Sequence, residues 1–260
     1  MPAFSFTHAI ARTPCASVVD GLRDDPNAIP DHAGLLAEHA AYVAALRAAG
    51  LAVDILEPLE GFPDSVFVED PALVFGNGAI LLRPGAPTRL GEREAMRPVL
   101  HRHFDRVLEL GDGAHADGGD VLVTENAVFI GLSLRTDRAG AEALAAHLQT
   151  LGHHAAIVDT PRGVLHFKTA VSLVAEDTVL ATPAMAASGL FNDFQVLLTP
   201  PGEEPAANAL RVNDLLFVDD RFPRTADLLA AAGLRVHPLR VRETAKLDAG
   251  LSCMSLRWHD

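Results

Sequence analysis

Cysteine is scarce in this chain, with two in 260 residues, Cys15 and Cys253. Two do not make a disulfide framework, so a bridge-stapled secreted scaffold is excluded and a reducing cytoplasm is the expected compartment. Long apolar runs are missing too. The hydrophobic stretches are short and broken by charges or glycine, and none has the form of a signal peptide or a membrane span. Positive charge is in deficit, with 21 Lys and Arg against 34 Asp and Glu and a formal net charge of −13. Phosphate contacts need clustered Lys and Arg, so no nucleic-acid partner is expected. A cationic substrate suits this balance, although acidity also serves solubility alone. Nor is there a linker, since Pro200–Pro205 is too short to be more than a loop. A chain of this length buries most of its apolar surface without staples, and it reads as one domain over residues 1–260.

Against these absences stands a repeat. Four strand pairs recur: Val66-Phe-Val-Glu-Asp-Pro-Ala-Leu-Val-Phe-Gly-Asn-Gly-Ala-Ile-Leu-Leu, Asp117-Gly-Gly-Asp-Val-Leu-Val-Thr-Glu-Asn-Ala-Val-Phe-Ile, His166-Phe-Lys-Thr-Ala-Val-Ser-Leu-Val-Ala-Glu-Asp-Thr-Val-Leu and Asn208-Ala-Leu-Arg-Val-Asn-Asp-Leu-Leu-Phe-Val. In each, Asn, Asp, Glu or Gly separates two runs rich in β-branched or aromatic residues, which is a hairpin signal. Helical stretches lie between pairs. Arg138–Leu151 carries Ala141, Leu144, Ala145, Leu148 and Leu151 at helical spacing before Gly152, and Asp31–Ala49 runs from an N-cap to Gly50. Thr225–Ala232 repeats the layout, and Gly91–Phe104 is a poorer helix that Pro98 is expected to kink or restart. Closing strands follow at Leu51–Leu56, Ala156–Asp159 and Leu234–Val236.

The unit is strand, turn, strand, helix, strand, at a spacing of roughly 35–50 residues. Five units fit the length if Asp248–Trp258 is completed by the N-terminal strand around Thr7–Arg12. One unit cannot bury both faces of its sheet, but several around an axis can. Such a ring gathers the starts of the first strands, and with them Asp64, Glu69, Asp70, Asp117, Asp120, His166, Asn208 and Cys253, into one central site.

A free cysteine is most often inert packing. Cys253, however, sits where the other copies carry His or Asp, and it reads as a nucleophile already partly ionised, with His166 as the group that lowers its pKa and supplies a proton. In Asp117-Gly-Gly-Asp120 the glycines let the backbone turn sharply and approach closely, so that one carboxylate faces the site and the other anchors the turn. The fragment also occurs in calcium loops, but the further oxygen ligands such a loop needs do not follow. Asp64, Glu69 and Asp70 surround an expected strand with Val and Phe, a costly placement for acids unless they meet a cation.

Six motifs, Pro63-Asp-Ser-Val-Phe-Val-Glu-Asp, Leu82-Arg-Pro-Gly-Ala-Pro-Thr-Arg, Asp117-Gly-Gly-Asp-Val-Leu, Gly131-Leu-Ser-Leu-Arg-Thr, Leu165-His-Phe-Lys and Leu247-Asp-Ala-Gly-Leu-Ser-Cys, resemble in order those of the dimethylarginine dimethylaminohydrolases. The resemblance implies a five-bladed α/β propeller of repeated ββαβ modules, and hydrolysis of Nω-methylated arginine to citrulline and a methylamine without metal or organic cofactor. It implies Cys253 as nucleophile, His166 as proton donor and then base, and Asp117 as the residue orienting it. Asp64 would accept guanidinium N–H bonds, with Glu69 and Asp70 near the α-amino group or supporting Asp64. Arg83 and Arg135 would hold the α-carboxylate, and Leu22 and Leu247 would supply backbone contacts from loops over the site. The partner is thus a small cationic amino acid; a homodimer is left open.

Other enzymes of the superfamily stay in view, namely arginine deiminase, amidinotransferase and citrulline hydrolase, as does a non-catalytic propeller of the kind that binds the large ribosomal subunit. Deiminases place an aspartate two residues after the histidine. In an extended strand those positions share a face, so Lys168 is expected beside His166, offering no acceptor and pairing with a carboxylate. That difference predicts methylated arginines as better substrates than arginine.

Overall fold

The turn residues do what their chemistry permits. Asn213 takes the left-handed conformation, φ 53°, between two short strands, and Gly152 takes it, φ 85°, where a helix stops. In the computed structural model, which describes residues 3–260, such turns close five three-stranded sheets.

One sheet consists of β3 (Ala72–Phe75), β4 (Gly78–Leu81) and β5 (Val107–Glu109), and the next of β6 (Val121–Val123), β7 (Val128–Leu132) and β8 (Ala155–Asp159). Then come β9 (Val171–Ala175), β10 (Thr178–Ala181) and β11 (Gln195–Leu198), and β12 (Leu210–Val212), β13 (Leu215–Asp219) and β14 (Val236–Leu239). In each, an antiparallel hairpin is followed by a helix and a parallel third strand. The last sheet closes the ring from both ends of the chain: β15 (Leu256–Trp258) pairs with β1 (His8–Arg12), and β1 with β2 (Ala52–Leu56). This is the expected five-bladed α/β propeller.

The helices are α1 (His32–Ala48), α2 (Glu92–His103), α3 (Arg138–Thr150), a single turn α4 (Pro183–Ala186), α5 (Pro223–Ala231) and a single turn α6 (Arg242–Ala245). Asp31 and Asp137 cap α1 and α3 by accepting N–H bonds from Gly34 and Gly140. Ala141, Leu144 and Leu148 of α3 pack on Val121 and Ile130 in one core between helix and sheet, and truncating a buried leucine there costs about 2–5 kcal/mol. Four further cores occupy equivalent positions. Among the described residues no helix is long and apolar enough to cross a membrane.

Three local expectations change. Helix α2 runs unbroken through Pro98 because Pro98 and Glu94, whose carbonyl loses its partner, are both exposed, while Met96, Val99 and Leu100 hold the opposite side in the core. Strand β14 starts at Val236, not Leu234, and tolerates Pro238 because it lies at a sheet edge. Most consequentially, the residues ahead of the first strands are not extended. Asp64–Asp70 is a run of turns, and Gly118–Asp120 and Phe167–Thr169 are 3-10 turns.

Candidate active site

Those turns exist because buried carboxylates collect their N–H groups. Asp120, fully buried, accepts Phe167 N–H at 2.8 Å with one oxygen and the hydroxyls of Ser133 and Thr136, each at 2.6 Å, with the other. Thr136 Oγ1 in turn accepts the N–H of Asp117 at 3.1 Å. One carboxylate therefore ties the turn after His166 to the loop that carries Arg135. Asp117 accepts His166 Nε2–H at 2.9 Å and Gly85 N–H at 2.7 Å. The two glycines between these acids are needed for close approach: a Cβ on Gly118 would lie 2.0 Å from the Glu69 carbonyl, and one on Gly119 would lie 2.9 Å from Cγ and 3.0 Å from Nδ1 of the His166 ring.

The Asp64–Asp70 turns are pinned by Arg89, a buried guanidinium held by side-chain and backbone acceptors. It binds both oxygens of Glu92 at 2.9 and 2.8 Å, the carbonyls of Phe67 at 2.9 Å and Asp64 at 3.3 Å, and the Asp70 carboxylate in a short contact. With that partner Asp70 is held below the usual carboxylate range although burial pushes the other way. Asp64 is buried with its Oδ1 on Leu22 N–H at 2.9 Å, and burial outweighs Arg89 to raise its pKa.

Cys253 and His166 both face a cavity of about 280 Å³, with Leu22, Asp64, Phe67, Asp70, Arg89, Arg135, Leu247 and Asp248 among the other walls. Burial by itself would lower the His166 pKa, but the charge of Asp70, the hydrogen bond to Asp117 and the charges of Asp120 and Asp117 together hold it up at about 9. Burial first, then the charges of Glu69 and Asp70, push the Cys253 thiol up to about 12. Both shifts favour a neutral thiol and a protonated imidazole over the partly ionised thiol expected from the sequence.

Of the ten residues given a catalytic or binding role from the sequence, Leu22, Asp64, Asp70, Arg135, His166, Leu247 and Cys253 meet in this cavity, and Asp117 stands directly behind His166, whereas Asn208, also expected at the centre, does not line it. Glu69 does not reach it. Its carboxylate lies at 2.6 Å from Lys168 Nζ, 2.9 Å from Ser252 Oγ and 3.4 Å from Arg257, against the backbone of the Cys253 turn. Arg83 is also elsewhere, bonded at 2.7 Å to His115 and bridged through its backbone to Ala116. The residue missed is Arg89, which ends the same Leu82–Arg89 motif; its signal was Glu92 three residues on, an ion pair at the start of α2.

Lys168 does not share a strand face with His166, because Phe167–Thr169 is a 3-10 turn; it pairs with a carboxylate as expected, that of Glu69. The donor atoms of Asp70, Asp117 and His166 lie within 4.8 Å of one another, close enough to ligate a cation, but Arg89 and the imidazole N–H already engage these carboxylates. A larger cavity of about 540 Å³ lies among β3, β6, β9, β12 and β15, beyond the Glu69–Lys168 pair, and has neither His166 nor Cys253 in its wall.

A buried histidine–carboxylate pair beside a cysteine at the centre of a five-bladed α/β propeller defines an enzyme of the guanidino-group-modifying class. The family described as arginine deiminase matches residues 53–204. The chain belongs, within that class, to the dimethylarginine dimethylaminohydrolase family. It is 37% identical over 254 residues to the N(G),N(G)-dimethylarginine dimethylaminohydrolase of Pseudomonas aeruginosa, covering 97% of this chain and 100% of that protein. It is 33% identical to the enzyme of the same name from Streptomyces coelicolor, covering 96% of each. A crystal structure of a P. aeruginosa mutant complexed with citrulline superposes with a TM-score of 0.94 over 98% of this chain and 100% of that one. The arginine dihydrolase ArgZ shares the fold at a TM-score of 0.86 and 19% identity over 96% of each chain.

Proposed function

We infer that this protein hydrolyses Nω-methylated L-arginine to L-citrulline and dimethylamine or methylamine. The observation that carries the reading is that Cys253 and His166 share one cavity with two buried carboxylates, Asp64 and Asp70, and a basic side chain, Arg135. The P. aeruginosa and S. coelicolor relatives bear the name of that activity, and the citrulline complex is of the P. aeruginosa enzyme.

The geometry supports the following chemistry. The Asp64 carboxylate accepts guanidinium N–H bonds, with Asp70 adding negative charge behind it. Arg135, whose guanidinium has no hydrogen-bond partner among the described residues, is free to take the α-carboxylate, and Arg89, already paired with Asp70 and Glu92, supports Asp70 instead. Leu22 and Leu247 line the cavity from the loops over it. A guanidinium about 4 Å from the sulfur contributes roughly 4 kcal/mol at an effective dielectric of about 20, enough to bring the thiol down by about three pH units. The substrate thereby helps to ionise the nucleophile, whose proton passes to solvent because His166 already carries one and is regained when citrulline leaves. The thiolate attacks the guanidinium carbon, the imidazolium protonates the departing amine, and the neutral imidazole then takes a proton from the water that cleaves the S-alkylthiouronium, each proton transfer contributing roughly 10²–10⁴-fold.

Arginine deiminase is the second reading, favoured by the family that matches residues 53–204. No acidic residue replaces Lys168 in the turn after His166, and Lys168 itself is committed to Glu69, so nothing there grips terminal N–H groups that methyl groups would remove. Two free cysteines suit a reducing cytoplasm. A citrulline assay on asymmetric dimethylarginine, monomethylarginine and arginine is the test: the methylated substrates should show the higher kcat/KM, and preference for arginine with release of ammonia would make the enzyme a deiminase.

A further inference from the structure

We propose that a second chamber, which shares Cys253 and His166 with the substrate cavity, is the site that receives the leaving amine and admits the hydrolytic water; this rests on the methylarginine reading above. The chamber is about 400 Å³ and includes Gly163, Thr169, Glu204, Asn208 and Arg221 in its wall. None of these touches the substrate cavity, and the chamber in turn has none of Leu22, Asp64, Arg89 or Arg135. Cys253 and His166 belong to both, together with the rim residues Asp24, Leu165, Asp248 and Ala249.

The reaction needs space beside the bound amino acid. As the Cys253 Sγ–carbon bond forms, the carbon–nitrogen bond to the alkylamino group breaks, its electron pair stays on nitrogen, and that nitrogen takes the proton from His166. The amine has then to depart while the rest of the amino acid is still bonded to sulfur and fills the substrate cavity up to Arg135. Water has to reach the same carbon before citrulline can leave. His166 Nε2 is committed to Asp117, so its mobile proton is on Nδ1, and Gly119, against which that edge of the ring packs, belongs to the chamber wall.

Charge favours the same direction. The cations in the wall are already neutralised, Arg221 by Asp219 at 2.8 Å and Lys168 by Glu69 at 2.6 Å. Asp248 accepts a backbone N–H from Asp24, and Glu204 one from Gly202, which leaves both carboxylates their charge. A dialkylammonium ion leaving through this chamber meets an acidic field, whereas an anionic competitor is repelled.

Thr169→Phe tests the proposal, because Thr169 lines the chamber alone and a phenyl group there takes up its space. With asymmetric dimethylarginine the variant should lose roughly tenfold in kcat, with release becoming limiting. Mass spectrometry of acid-quenched enzyme during turnover should show more covalent adduct on Cys253, while equilibrium affinity for citrulline stays within about twofold of wild type and Thr169→Ser behaves as wild type. Arginine, which releases the smaller ammonia, should be less impaired. Unchanged kcat and unchanged adduct in Thr169→Phe overturn the proposal. If that variant does not fold, Glu204→Lys, on an exposed side chain, carries the test: kcat should fall about threefold at low salt and recover at high salt, and no change overturns the chamber's role. Wild-type protein that makes no citrulline from any arginine analogue refutes the functional reading instead, which keeps the two failures distinct.

Discussion

Replacing Asp117 by Asn tests what holds the proton on His166. The imidazole is raised from 6.5 to about 9. At 1.36 kcal/mol per pH unit that corresponds to roughly 3 kcal/mol favouring the protonated ring in the folded protein. Because the folded pKa lies above the unfolded one, this stabilisation is complete below pH 6.5 and is lost as pH rises through about 9. Asp117 contributes the hydrogen bond and one of three negative charges, while its other oxygen is occupied by Gly85 N–H. An asparagine that keeps its oxygen on Gly85 turns its NH₂ towards Nε2, where only an unprotonated nitrogen can accept it. Lost charge and inverted hydrogen bond act in the same direction, and we expect the His166 pKa to fall by about two pH units. At pH 8 the imidazolium fraction then drops from about 90% to about 10%, and kcat falls about tenfold there beyond any loss at pH 6. The pH profile of citrulline formation and an NMR titration of the imidazole read this directly. If the alkaline limb in Asp117→Asn stays near pH 9, Asp117 does not hold the proton.

Cys253→Ser should fold and bind but turn over below roughly a thousandth of the wild-type rate, since a hydroxyl offers no thiolate even beside a cation; citrulline formation near the wild-type rate would remove Cys253 from the mechanism. Cys15→Ser, at a residue that does not line the cavity, should match wild type in the same assay. Arg135→Ala should raise KM for methylarginine by roughly tenfold or more, whereas Arg83→Ala, paired with His115 outside the cavity, should change kcat/KM less than about twofold; equal effects would return Arg83 to the site. Lys168→Met should cost about 3 kcal/mol in urea unfolding, because Glu69 is left buried with one cation fewer; a loss under about 0.5 kcal/mol would show that Arg257 alone satisfies it.

The repeat was legible because hairpins, helix stops and alternating apolar runs are local. Asn213, Gly152, Asp31 and the Leu144–Leu148 spacing act over a few residues, and each element they mark is present in the structure. The pairing of chain ends, His8 with Trp258, was inferable from an incomplete fifth unit. That Cys253, His166 and Asp117 come together was legible because their motifs are short and contiguous.

What could not be read were features made by groups far apart in sequence. Asp120 draws in Phe167 N–H from 47 residues away, which turns a stretch that looks like strand into a 3-10 turn, from which Lys168 pairs with Glu69. Arg89 and Arg83 lie six residues apart in one motif; only packing decides that the first is buried against Asp70 and the second bonds His115. The ionisation of the pair is decided in the same way. Cysteine and histidine identity set the chemistry available, but burial and the convergence of Asp70, Asp117 and Asp120 on the imidazole, with Glu69 and Asp70 near the sulfur, favour a thiol and an imidazolium. Sequence by itself determined the elements, the repeat and the reactive groups, because these rest on local backbone preference and side-chain type. Tertiary structure alone decided which charges meet, and hence the protonation state with which the site awaits its substrate, because Coulomb and desolvation energies depend on distances that no sequence spacing specifies.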